Sequence, residues 1–152
     1  MTRSRALLLL CVSVLVSRPA AAAMNCTISV SPFSFGIYAP VDPNPLDVTG
    51  QMDVRCTGSA GTFSAAISQG NSGTFVQRRM LSGSFQLGYN FYLNASHTTV
   101  WGDGTGGTQM GGGTKSSAGQ QNFTLFIYGR VFPGQPVGLG SYSDGVLVTI
   151  AF

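Results

Sequence analysis

The chain has no glutamate, one histidine (His97) and one tryptophan (Trp101) in 152 residues, and only 9% of its residues are charged. Five scattered aspartates, Asp42, Asp47, Asp53, Asp103 and Asp144, supply every side-chain carboxylate. No close carboxylate pair is available for acid-base work, and no Gly-x-Ser-x-Gly elbow is present. His97 falls in the polar stretch Asn94-Ala95-Ser96-His97-Thr98-Thr99, which reads as a turn. The members of a Ser-His-Asp triad meet only in space, so sequence leaves that arrangement open. Taken together, these absences favour a protein that is not an enzyme. Metal and cofactor readings are equally poor in ligands, because Cys26 and Cys56 have no further Cys or His at ligand spacing.

Long apolar runs are missing too, apart from Ala6–Val16, which lies between Arg3, Arg5 and the small-residue stretch ending Ala21-Ala22-Ala23. That order of charged, apolar and small residues is expected of a secretory signal over residues 1–23, with an A-x-A cleavage site. The run is shorter than the roughly 20 residues a membrane span needs, so no span is expected in the mature protein, residues 24–152. The formal charge of +3 belongs to the leader. Beyond residue 23, Arg55, Arg78, Arg79, Lys115 and Arg130 balance the five aspartates. Arg78 and Arg79 would face opposite ways on a strand, so no basic patch favours nucleic acid. Cys11 lies in the leader, leaving Cys26 and Cys56 as a pair in an oxidising compartment. A disulfide between them is expected to contribute about 3 to 4 kcal/mol.

What is present is a series of short alternating segments. In Gln51–Cys56, Met52, Val54 and Cys56 share one face while Gln51, Asp53 and Arg55 share the other, the period of a half-buried strand. Further strands are expected over 27–30, 62–68, 74–77, 86–93, 122–131 and 145–152, set apart by Gly, Pro, Asn, Asp and Ser. No helical period appears after the leader. The pattern indicates an all-β, immunoglobulin-like antiparallel β-sandwich, with a closed barrel as the alternative. Gly102–Gly113, mostly glycine and threonine, reads as a long mobile loop. Its one acidic residue, Asp103, does not make a calcium-binding repeat. In the last segment Val146, Val148, Ile150 and Phe152 face one way, with Leu147, Thr149 and Ala151 opposite. Two nearly apolar faces suggest burial on both sides, or a neighbour from another molecule.

Several stretches together resemble the spore coat protein U domain family, which includes subunits of archaic chaperone-usher pili. They are Phe35-Gly36-Ile37-Tyr38, Gly50–Thr57, Ser68-Gln69-Gly70-Asn71-Ser72, Arg78-Arg79-Met80-Leu81 and Leu87–Tyr92. Trp101-Gly102-Asp103-Gly104, Tyr128-Gly129-Arg130 and Gly140–Phe152 complete the set. The resemblance implies a pilin-type sandwich lacking its final strand, with a hydrophobic groove in its place. In that family a periplasmic chaperone fills the groove first, and the N-terminal extension of a neighbouring subunit replaces it at the outer-membrane usher. Recognition of this kind is strand addition. The match places Val146, Val148, Ile150 and Phe152 along the groove, although periodicity alone fits an ordinary core equally well. One departure stands out. Only Met24 and Asn25 lie between the expected cleavage point and Cys26, so the mature chain has no evident strand to donate. It is expected either to accept one, as a terminal or tip-proximal subunit would, or to belong to a branch secreted without polymerising, and in both cases not to polymerise by itself. Its expected route is through the periplasm to the cell surface or the medium.

A secreted carbohydrate- or surface-binding β-sandwich is the alternative from another class. Loops at the ends of sandwiches carry binding residues, and Trp101, Phe132 and Tyr142 beside glycine or proline are the aromatic candidates.

Overall fold

The computed structural model describes residues 22–152. Residues 1–21, with most of the expected secretory signal, lie outside the described residues. Ala22 and Ala23 are described, and the Ala22 carbonyl accepts the Ser59 amide at 2.9 Å.

Eight strands run in order: β1 (Asn25–Val30), β2 (Leu46–Thr57), β3 (Gly61–Ile67), β4 (Arg78–Ser82), β5 (Phe85–Tyr92), β6 (Gly111–Lys115), β7 (Gln121–Val131) and β8 (Val148–Ala151). They form two antiparallel sheets, ordered β1-β2-β7-β5-β4 and β6-β3-β8. No strand is closed into a ring, so the molecule is a sandwich and not a barrel. No α-helix occurs among the described residues, and none of their helices is long and apolar enough to cross a membrane.

Alternation builds the core. Met52, Val54 and Cys56 of β2 are buried while Gln51, Asp53 and Arg55 are exposed, and Phe63, Ala65 and Ile67 of β3 meet them from the other sheet. Tyr89 and Phe91 of β5 with Ile127 and Val131 of β7 extend that layer. Cys26 and Cys56 face each other across β1 and β2 and are joined by a disulfide, tying the edge strand to its neighbour.

Four expectations need correction. Residues 74–77 are not a strand: Phe75 turns into the core, Val76 points to solvent, and pairing begins at Arg78. Gly102–Gly113 is not one unstructured loop, because its end enters β6. Its beginning is closed by Gly102 N–H on the Gln109 carbonyl and Gln109 N–H on the Val100 carbonyl, at 2.9 and 3.0 Å. The strand expected over 145–152 shortens to Val148–Ala151, and it is not buried on both faces: Leu147 is 68% exposed, and Thr149 and Ala151 face solvent. The last correction concerns Trp101, described below.

Candidate functional site

Two irregular segments stand along the side of the sandwich where β8 ends the smaller sheet. The first runs Phe33–Tyr38, just after β1. Phe33 and Phe35, two residues apart, turn the same way and meet edge to face at 5.0 Å. Phe33 also meets Phe91 at 5.1 Å, and Phe35 meets Tyr89 at 5.5 Å. The segment can approach this closely because its ring seat has no side chains. A Cβ on Gly50 or Gly129 would sit 2.6 to 2.8 Å from the Phe33 and Phe35 rings. Tyr38 closes the segment, its hydroxyl accepting the Gln135 amide at 2.8 Å.

The second segment, Val137–Val146, leads into β8. Between the two lies a groove of about 760 Å³, floored by Met80, Leu87, Tyr89, Phe91 and Val131. Asp144 is the charged residue on its lining. Its carboxylate accepts the Asn71 amide and the Tyr89 hydroxyl, each at 2.8 Å. Burial, and then this bond and charge, push the Tyr89 phenol above its usual range and keep it protonated. Tyr142 is half-buried in the same wall and donates its hydroxyl to the Gly138 carbonyl at 2.8 Å.

Backbone accounting adds the second feature. The Leu147 carbonyl accepts the Ser68 amide at 2.9 Å, so Leu147 turns its hydrogen-bonding groups toward β3. Ladder bonds alternate along a strand, so Thr149 and Ala151, opposite Ala66 and Ser64, do the same. Val146, Val148 and Ile150 therefore turn their N–H and C=O groups to the far side. There β8 has no neighbour among the described residues. These three residues send their side chains inward and leave backbone groups unpaired outward.

The four residues singled out along this edge are differently placed. Val146 lines the groove, Val148 packs on the main core, and Ile150 packs on the cluster of Cys26, Val54, Cys56 and Phe63. Phe152 lies past the strand and is 53% exposed. The aromatic candidates do not gather. Trp101 is fully buried, donates Nε1–H to the Ala65 carbonyl at 2.8 Å and packs on Gly111, so it has no face for a ligand. It is a core residue because its bridging loop folds under the sandwich end. Phe132 is half-buried after β7, with its amide on the Gly88 carbonyl at 3.2 Å. Sequence reading did not assign Phe33, Phe35 and Tyr38 to the site, although the Phe-x-Phe alternation beside Gly36 was the available signal.

The one histidine is engaged elsewhere. Its ring packs edge to face on Tyr92 at 5.2 Å, and its Nε2 lies 3.7 Å from Asp47. Arg130 holds both Asp47 oxygens at 2.6 Å, and the neighbouring Ser96 hydroxyl is taken by Asn94. No cluster of three His, Cys or Asp side chains suited to a metal occurs among the described residues.

Comparison with known proteins agrees with this architecture. The Spore Coat Protein U domain matches residues 10–149. Protein U of Myxococcus xanthus is 31% identical over 136 aligned positions, covering 78% of this chain and 70% of that protein. The fold superposes with a TM-score of 0.59 and 24% identity on a chain of the chaperone–tip adhesion subunit pre-assembly complex, CsuC–CsuE, of the archaic chaperone-usher Csu pili of Acinetobacter baumannii. That likeness covers 86% of this chain and only 40% of the solved one, so the shared unit is part of a longer protein there. The chain belongs to the spore coat protein U domain family.

Proposed function

We propose that this chain is an exported structural subunit of a surface fibre or coat, and that its groove accepts an extended strand from another molecule. The observation that carries the reading is the coincidence of an open apolar groove with a row of unpaired backbone groups on Val146, Val148 and Ile150. An added strand would complete the ladder of β8 while its alternate side chains cover Phe35, Tyr89 and Phe91. Ladder bonds supply affinity and pockets supply register in this mode of recognition. A free edge beside an apolar groove is also an aggregation hazard, which is a physical reason for a periplasmic chaperone to cover it before assembly. The later partners are an outer-membrane usher and neighbouring subunits, and the position proposed for this chain is terminal or tip-proximal. Cleavage after Ala23 belongs to the same reading.

A direct test is to purify residues 24–152 alone and with a periplasmic pilus chaperone. A free subunit should fold but melt at low temperature. The chaperone, or a synthetic peptide alternating valine and threonine with lysines at its ends, should form a one-to-one complex that melts higher. Val146→Arg should abolish that rise. A free domain that is already stable, and indifferent to both partners, would count against strand acceptance and favour a self-sufficient binding module.

A further inference from the structure

The terminal strand has only four residues, and its phase decides which side chains face the groove. A slip of one residue would send Val146, Val148 and Ile150 outward and Leu147 and Thr149 inward. Few ladder bonds are available to prevent that, yet the junction where the strand begins is fastened in an unusual way.

In a regular antiparallel pair, the Ser68 carbonyl would accept the Leu147 amide and the Ser68 amide would bond the Leu147 carbonyl. Only the second of these exists. The Ser68 carbonyl is taken instead by Arg78, whose Nε donates to it at 2.9 Å. The Leu147 amide donates to the Ser68 hydroxyl, also at 2.9 Å. A side-chain oxygen has replaced a backbone oxygen in the ladder, because a buried cation claims the backbone one.

Arg78 has strong reasons to do so. It is fully buried, and its other donors end on the Ile67 carbonyl at 3.2 Å, the Trp101 carbonyl at 2.8 Å and Asn90 Oδ1 at 2.5 Å. Its guanidinium carbon lies 5.2 Å from the centre of the Phe75 ring and 5.7 Å from that of Phe91. Burial lowers its pKa, while the surrounding Tyr89, Asp144, Asp103 and Tyr92 push it back up. An arginine stays charged in proteins, and a buried charge holds every acceptor it can reach. Asp144 fastens the same stretch three residues earlier, and its carboxylate fills the space a Cβ on Gly70 (φ +63°) would need.

We infer that Ser68 is a positioning residue that locks the register of β8, with Arg78 dictating that the hydroxyl and not the carbonyl makes the bond. The lock determines which backbone groups the open edge presents, and so the register in which an incoming strand is read. This inference rests on the strand-acceptor reading for its consequence, but not for the lock itself.

The test uses the whole mature chain with Ser68→Ala and Ser68→Thr. In the wild type, the Leu147 amide should be protected from hydrogen exchange, and a single cross-strand nuclear Overhauser contact should join Ala66 and Thr149. Ser68→Ala should speed Leu147 exchange about fivefold, the scale of one net hydrogen bond. It should also split or blur the Ala66–Thr149 contact, leaving Met52 and Val54 amides protected. Affinity for the valine-threonine peptide should fall by a similar factor, and Ser68→Thr should restore both. Unchanged Leu147 exchange and a single register in Ser68→Ala would overturn the lock. A wild-type protein that shows the lock yet ignores the peptide would sink the strand-acceptor reading alone.

Discussion

The two flanks of this sandwich invert what their compositions suggest. Gly102–Met110 is polar and glycine-rich, yet it is bound tightly to itself and to the core. Asp103 Oδ1 accepts the Thr105 amide and hydroxyl at 2.9 and 2.6 Å, and Thr108 donates to the Thr105 carbonyl at 2.7 Å. Trp101 at its base is buried, with its indole N–H on the Ala65 carbonyl. Val137–Leu147 is the apolar flank and is the less complete. Leu139 is fully exposed, Leu147 is largely so, and Val137 and Val146 are only partly covered. Order here follows from whether partners exist within the chain, and not from hydrophobicity. The polar loop finds its partners locally, whereas the apolar segment has a floor and one wall but no cover.

The sharpest way to break that contrast is to delete the keystone of the closed flank. Trp101→Ala removes a fully buried ring and leaves the Ala65 carbonyl without its donor, which should cost about 3–5 kcal/mol. A domain margin is only about 5–15 kcal/mol, so the urea midpoint should collapse or the protein should not accumulate. Leu139→Ser on the open flank should move the same midpoint by no more than about 0.5 kcal/mol in the isolated domain. Equal effects at the two positions would erase the distinction between flanks. Next in size is the disulfide. Replacing Cys26 and Cys56 together by alanine frees the edge strand β1 and should cost about 2–4 kcal/mol. The loss should appear in exchange of the β1 amides before those of β7, which is paired on both sides.

The sheet strands were legible where one face is buried and the other wet, because burial then writes a period of two into the sequence. Gln51–Cys56 and Asn122–Val131 are such cases, and the structure extends or reproduces both. The edge strand β6 was not legible. Gly111, Gly112 and Gly113 carry no side-chain signal, and they are glycine because the Trp101 ring, the β3 backbone and the Phe63 ring occupy the space of their Cβ atoms. Trp101 looked available to a ligand because Gly102 follows it, but its ring is covered where Gly111, further along the chain, leaves room for it. Of the candidate site, the β8 half could be read from the alternation of Val146, Val148 and Ile150. The opposing wall left only the Phe-x-Phe alternation as a signal, and its position could not be read, since Phe33 is seated on two glycines distant in sequence, Gly50 and Gly129. In sequence Arg78 is one of two adjacent arginines on opposite strand faces. Only the fold reveals that its face is the interior and that four acceptors wait there.

The smallest predicted effect lies on the outer face of the larger sheet, away from both flanks, and it tests whether that face contributes to stability at all. Asp47 on β2 sits opposite Arg130 on β7 and is held by two bonds of 2.6 Å. The hydrogen bond from Arg130 holds the carboxyl below its ordinary value of 3.8, outweighing a burial effect in the other direction, and the charge of His97 adds to the lowering. A carboxylate with a depressed folded-state pKa stabilises the native state above its unfolded pKa. That contribution is lost as pH falls through the lower, folded value. The pair is exposed, so its worth is about 0.2–1 kcal/mol. Asp47→Asn should therefore melt a few degrees below wild type from pH 7 down to about 5. The gap should begin to narrow as pH falls toward 3.8 and close only below the depressed folded-state value, where the wild-type carboxyl is itself protonated. Melting curves of both proteins across this range decide it: a gap that persists at the acid end would mean that Asp47 acts through packing, and no gap at neutral pH would make the pair ornamental to the sheet.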